Sequence, residues 1–329
     1  MLSIGKVRGL QQLSSASGIF TICAMDHRGS LKSMLAQRHS GEVTHAEMVE
    51  FKLELCAALA PCSTAVLLDP DYGAAQCIAS GVLPADAGLL ISAESSGYLG
   101  TAQRRVTTLQ PEWSAAKARR AGASGAKLLL HYRPDLPDLA AQQRAVVNTL
   151  ADDCLKHDLP CIVEPRIYPI EGEDEHSPPY NHRKPELVIQ TARDISALPI
   201  DILKSDFPAD PGVVRDDTQV LDICRKLDGA SRAPWVVLSA GVDFETFCRQ
   251  VHLACQAGAS GFLGGRAIWQ EAARMPDKKQ RMKFLTTTAA DRMKRLTELA
   301  ENHAVPWHKK LGLPADRLTT VPPTWARDY

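Results

Sequence analysis

The chain has 329 residues, of which 45% are hydrophobic, and its 38 lysines and arginines balance 38 aspartates and glutamates. Zero net charge gives no overall field for a polyanion, so neither nucleic acid nor a membrane is an expected partner. The nine cysteines are scattered without a C-x-x-C pair and no apolar run is long enough to span a bilayer, which together read as a reduced, cytoplasmic protein.

Eight short apolar runs recur along the chain, at residues 18–25, 65–68, 88–92, 125–130, 160–163, 199–204, 235–238 and 261–263. Runs of this length closed by turn residues read as buried strands. Segments with helical pattern lie between them. Residues 44–59 open with Thr44 and Glu47, the spacing of a capping box, and residues 244–257 follow Asp243, a good N-cap. Residues 137–156 and 182–197 are further amphipathic helices. Strict alternation of strand and helix predicts parallel pairing with right-handed crossovers. Eight such units in about 250 residues predict a closed α/β barrel, a single (β/α)8 TIM barrel over residues 1–305. A helical extension is expected over 271–303, and residues 306–329, rich in proline and charge, are expected to form an irregular C-terminal arm.

Polar residues fall at or just past the ends of these runs: Asp26, Asp69, Glu94, Glu164, Lys204, Ser239 and Arg266, with Lys127 inside the fourth run. The C-terminal face of this fold holds the active site, so these side chains are expected to converge on one mouth. Lys204 and Glu164 lie on neighbouring strands. A lysine is a nucleophile only when neutral, and desolvation or a second cation such as Lys127 favours that form. Glu164 can then shuttle protons. The same residues also fit a plain ion pair that ties two strands together.

The seventh and eighth run ends, Ser239-Ala240-Gly241 and Gly264-Gly265-Arg266, offer a hydroxyl, backbone N–H groups and a guanidinium where this fold commonly holds phosphate. Asp26-His27-Arg28-Gly29 fits either a substrate-hydroxyl or second-phosphate site or a capped turn. The ten histidines form neither H-x-x-E-H nor H-E-x-x-H, and no metal or other cofactor is expected.

The strings Ala24-Met25-Asp26-His27-Arg28-Gly29-Ser30-Leu31-Lys32, Leu68-Asp69-Pro70-Asp71-Tyr72-Gly73 and Val237-Leu238-Ser239-Ala240-Gly241-Val242, followed by Gly265-Arg266-Ala267-Ile268-Trp269, closely resemble the tagatose 1,6-bisphosphate aldolase family, which includes sulfofructosephosphate aldolases. The resemblance runs from about residue 18 to residue 269. It implies a metal-independent, class I aldolase that forms a Schiff base on Lys204, with Glu164 as acid/base and Lys127 touching substrate oxygens. It also implies phosphate binding by Ser239 and Arg266 with the backbone of Gly241 and Gly265, and a matching strand-one aspartate in Asp26. Three departures concern the substrate: His27 stands where the family usually has glutamine, Ser205-Asp206 where it commonly has Val-Glu, and Ser95-Ser96 where it tends to have Lys-Thr.

The expected function is cleavage of a phosphorylated ketose, such as tagatose 1,6-bisphosphate, to dihydroxyacetone phosphate and an aldehyde. The partner is thus a small phosphorylated sugar, and self-association is expected of such barrels. Alternatives are a sulfofructosephosphate or other keto-sugar phosphate aldolase, a zinc-dependent aldolase, and a non-catalytic sugar-phosphate-binding regulator.

Overall fold

A computed structural model describes residues 2–38, 40–210 and 213–329. Eight parallel strands close into a barrel: β1 (Phe20–Ala24), β2 (Ala65–Leu68), β3 (Gly88–Ser92), β6 (Gly125–His131), β7 (Cys161–Arg166), β8 (Ile202–Ser205), β9 (Trp235–Leu238) and β10 (Gly261–Gly264). The remaining two strands, β4 (Leu99–Thr101) and β5 (Arg104–Val106), form an antiparallel hairpin in the connection from β3 to β6. Around the barrel the order is β1-β2-β3-β6-β7-β8-β9-β10, and β10 returns to β1 with Phe20 opposite Gly261. The eight expected strands are all present. β7 runs on through Glu164 and Pro165 to Arg166, three residues beyond its apolar run.

Alternation along the strands divides two cores. Phe20, Ile22, Ala65, Leu67, Leu90, Ile162, Ile202, Val236 and Leu263 point into the barrel and form its interior cluster. The intervening residues, among them Cys23, Val66, Leu68, Ile91, Val163, Leu203 and Val237, pack outward against the helices. The lower end is closed by Leu10 and Leu13 of helix Ile4–Leu13 and by Trp307, all within the interior cluster. The sequence reading passed over that helix. The C-terminal segment returns to it, since the Tyr329 hydroxyl accepts from Gly5 N at 3.1 Å.

The capping box at Thr44 forms as read, opening helix His45–Leu59, and Asp243 caps helix Phe244–Ala257. Helix Pro178–Ser196 begins four residues before the expected start, because Ser177 caps it and Pro178 occupies a first-turn position where no N–H is needed. His182 therefore lies within the first turns of the helix, not at its start. The helical extension starts at Lys278 behind the Asp277 cap, later than residue 271, and the C-terminal arm carries two short helices, Trp307–Lys310 and Trp325–Asp328, where an irregular course was expected. All nine cysteines are free, and among the described residues no helix is long and apolar enough to cross a membrane.

Candidate active site

The upper mouth of the barrel holds a cavity of about 430 Å³. Its polar wall follows from strand parity. Extending the inward series past the apolar core gives Asp26 after Ala24, Glu94 after Ser92, Lys127 on β6, Glu164 after Ile162 and Lys204 after Ile202. All five line the cavity. Period-two alternation thus carries apolar side chains to the barrel centre and charged ones to its mouth.

Lys204 Nζ donates to Glu164 Oε2 at 2.7 Å. Lys127 Nζ stands 3.0 Å from the same oxygen, 2.8 Å from Asp26 Oδ2 and 3.2 Å from Glu94 Oε1. Two ammonium groups and three carboxylates therefore form one network, with Lys127 and Lys204 both buried. Burial disfavours charge on each group, and the neighbours decide the outcome. For Lys204, burial outweighs the attraction of Glu164, and with the repulsion of Lys127 its pKa lies below that of a free lysine. For Lys127, burial is overcome by Asp26, Glu164 and Glu94, and the ammonium is held well above its usual range. Burial alone would raise Glu164, but Lys127 and Lys204 hold it down at about 2. Asp26 is likewise lowered, chiefly by Lys127 acting against burial. The arrangement keeps one lysine charged and eases the other toward the neutral, nucleophilic form.

On the opposite wall, Ser239, Gly265 and Arg266 also line the cavity. Ser239 Oγ accepts from Gly265 N at 3.4 Å. Ala240 and Gly241 both adopt positive φ, 48° and 82°, which curls the backbone after β9. Gly241 does not line the cavity; it lies behind Arg266, where an added Cβ would fall 3.1 Å from the guanidinium carbon. Among the described residues the Arg266 guanidinium has no hydrogen bond or ion pair. Burial, and then the nearby Arg166 guanidinium, disfavour its charge. A cationic group without a counterion beside a curled, glycine-rich backbone can receive an oxyanion.

His27 lines the cavity with its ring edge-on to Trp269 at 5.1 Å. Burial, opposed by Asp26 and reinforced by Arg266, Lys204 and Lys52, lowers its pKa to about 3, so the ring is neutral. Arg28, in contrast, is spent on structure: it donates to Asp71 (3.1 Å), Gln110 (2.9 Å) and the Glu94 carbonyl (2.6 Å). Asp69 does not join the cavity. It lies one residue past β2, where the chain turns at Pro70 and strand parity ends, and it pairs with Lys52 beneath the mouth.

Sequence reasoning missed His131 and Arg166, which line the cavity between Tyr98 and Glu164. Each continues the inward parity of its strand, four residues after Lys127 and two after Glu164, and that signal could have found them. Arg166 is ion-paired with Asp206, two residues beyond Lys204. His131 Nδ1 lies 3.1 Å from Thr107 Oγ1, and burial with Arg105 and Arg166 lowers it to about 4. The β4–β5 hairpin covers this side, where Arg105 lies 4.9 Å from the ring centres of both Tyr98 and Tyr168. Among the described residues no group of three His, Cys, Asp or Glu is arranged to hold a metal ion.

The family model described as DeoC/LacD family aldolase matches residues 20–271. Over 328 aligned residues, covering 94% of this chain and all of the relative, the sequence is 31% identical to a tagatose 1,6-diphosphate aldolase of Lactococcus lactis subsp. lactis. It is 29% identical to the protein of that name from Staphylococcus aureus (strain MSSA476), covering 93% of this chain and 98% of the relative. Among solved structures, fructose-bisphosphate aldolase from Plasmodium falciparum superposes with a TM-score of 0.69 at 15% identity, covering 92% of this chain and 97% of that one, and shares the barrel fold. With a family model spanning most of the barrel and full-length relatives on either side of 30% identity, the chain belongs to the DeoC/LacD family of aldolases.

Proposed function

We propose that this aldolase works through a Schiff base on Lys204, without a metal, and cleaves a phosphorylated ketose. One observation carries the reading: two buried lysines share a single Glu164 oxygen, and their surroundings drive them in opposite directions, Lys127 toward the charged form and Lys204 away from it. A purely structural ion pair does not need the second cation.

In this reading the neutral Lys204 amine attacks the C2 ketone of the substrate. Proton transfers through Glu164 release water from the carbinolamine and leave an iminium. Removal of the C4 hydroxyl proton by Glu164 breaks the C3–C4 bond, and the bonding pair passes into the iminium to give an enamine. The aldehyde departs. Protonation of the enamine at C3 and hydrolysis of the imine then release dihydroxyacetone phosphate and restore the free lysine. Lys127 holds substrate oxygens. Ser239, Gly265 and Arg266, the last backed by Gly241, hold the C1 phosphate and fix C2 over Lys204. Asp26 and His27 contact substrate hydroxyls.

The names of the relatives make tagatose 1,6-bisphosphate the first substrate to assay. The sulfofructose phosphate analogue comes second, because Ser95 and Ser96 line the cavity where the family it resembles tends to have Lys-Thr. Borohydride with dihydroxyacetone phosphate is expected to add mass to the peptide that contains Lys204, and Lys204→Met is expected to abolish both the adduct and turnover. Chelator is expected to leave turnover unchanged. An active enzyme without the adduct, or one silenced by chelator, overturns the reading.

A further inference from the structure

A charged pair that the proposed chemistry does not use lies directly beneath the loop carrying Asp26 and His27. Lys52, in helix His45–Leu59, and Asp69, just past β2, have no solvent-exposed side-chain surface. The Lys52 ammonium pairs with Asp69 Oδ2 and donates to two main-chain oxygens, Met25 O at 2.7 Å and His27 O at 2.9 Å. An ammonium has three N–H donors, and these three acceptors use all of them. The second Asp69 oxygen accepts from the backbone N–H of Asp71 at 3.0 Å and of Tyr72 at 2.8 Å.

Burying two charges costs several kcal/mol per ion, and well-packed apolar side chains of similar volume would tie helix to barrel at least as well. An apolar side chain cannot grip main-chain oxygens. The two that Lys52 grips belong to the residues on either side of Asp26. The Asp26 carboxylate in turn reaches the Lys127 ammonium at 2.8 Å, and Lys127 shares Glu164 with Lys204.

We propose that Lys52 is a positioning residue for the aldol reaction: by clamping both carbonyls that flank Asp26, it holds the Asp26 carboxylate on Lys127 and so sets the charge pattern around Lys204. Asp69 keeps the ammonium in place and at the same time shapes the neighbouring β2 loop. The inference rests on the Schiff-base reading of Lys204 only in naming which amine is tuned. The clamp itself acts on whatever aldol cleavage the enzyme performs.

The test is a double-mutant cycle of Lys52→Met and Asp26→Asn in the full chain, with kcat, KM, thermal melting and borohydride trapping read for each variant. Displacing a reacting group by about 1 Å costs on the order of 100-fold, and Lys52→Met is expected to lower kcat by that amount. Its KM for the phosphorylated substrate should stay within about twofold, the scatter of independent sites, because the phosphate cradle is untouched. The double variant should be no slower than Asp26→Asn alone, because Lys52 acts through Asp26. If Lys52→Met does not fold with Asp69 left unpaired, Lys52→Met/Asp69→Asn takes its place in the same cycle with the same expectations. A folded variant with wild-type kcat, or effects that multiply in the double variant, overturns the proposal. Absence of a borohydride adduct in the wild type overturns the Schiff-base reading and leaves the cycle readable, so the two failures are distinguishable.

Discussion

Glu164 presents a single carboxylate oxygen to two ammonium groups, Lys204 at 2.7 Å and Lys127 at 3.0 Å. The two lysines therefore compete for one anion, and each affects the other's proton. Glu164 favours the charged form of Lys204, whereas Lys127 disfavours it.

Opposite signs follow for two substitutions. Glu164→Gln removes the anion, so the Lys204 pKa falls further and the free amine becomes more abundant near neutrality. Imine formation, followed by single-turnover borohydride trapping, is expected to persist, while turnover drops by about 10²- to 10⁴-fold with the loss of the proposed acid/base. Lys127→Met removes the repelling cation, so the Lys204 pKa rises and the ascending limb of the trapping-rate profile moves to higher pH. Two profiles that shift in the same direction would refute this account of the network.

The proposed phosphate cradle predicts a different kinetic signature. Gly241 has φ 82°, and a Cβ there would press on Arg266 at 3.1 Å. Gly241→Ala is expected to strain the turn and displace the guanidinium. Loss of a charge-assisted hydrogen bond, about 1.5–3 kcal/mol, corresponds to a rise in KM of roughly 10- to 100-fold. The inhibition constant of inorganic phosphate should rise in parallel and kcat should change little. Arg266→Met should give the same pattern, and the combined variant should add little to either. A fall in kcat at unchanged KM would remove these residues from phosphate binding.

Two neutral histidines in the mouth make stability depend on pH. His27 has a folded pKa of about 3 and His131 of about 4, both below the usual histidine range because of burial. Between an unfolded value of ~6.5 and these folded values, the unfolded chain binds protons that the native state refuses. Stability is therefore lost as the pH falls, by about 1.4 kcal/mol per pH unit for each histidine. Glu164, with a folded pKa of about 2, adds its own loss only once the pH drops into the carboxylate range. Urea titrations at pH 7, 6 and 5 should show His27→Gln removing about half of the histidine slope and His27→Gln/His131→Asn removing most of it. A slope that neither variant changes would place the acid sensitivity elsewhere.

Most of the barrel and much of its mouth were legible in the sequence because both rest on local periodicity. A run such as residues 65–68 identifies a strand by itself, and Thr44 with Glu47 identifies a helix start. Parity then carries Glu164 and Lys204 inward. Asp69 shows the limit: like Asp26 it follows a strand end, yet it leaves the cavity because the chain turns directly after it, at Pro70. Lys52 was equally hidden. On its helix it reads as one more polar residue among apolar ones, and nothing local reveals that its ammonium reaches two carbonyls of β1's loop.

The amino-acid sequence alone determined the eightfold alternation, the places of the strands, and the types of group available near their ends: amines, carboxylates, a guanidinium and glycines. Only the tertiary structure decided which of those groups share a hydrogen bond, which lysine keeps its proton and which is eased toward losing it, and that Asp69 supports the loop beneath the mouth. The physical reason is range. Periodicity and capping are settled by neighbours a few residues apart, whereas burial and ion pairing depend on side chains brought together across the closed barrel, such as Lys127 and Asp26, which are 101 residues apart in the chain and 2.8 Å apart in space.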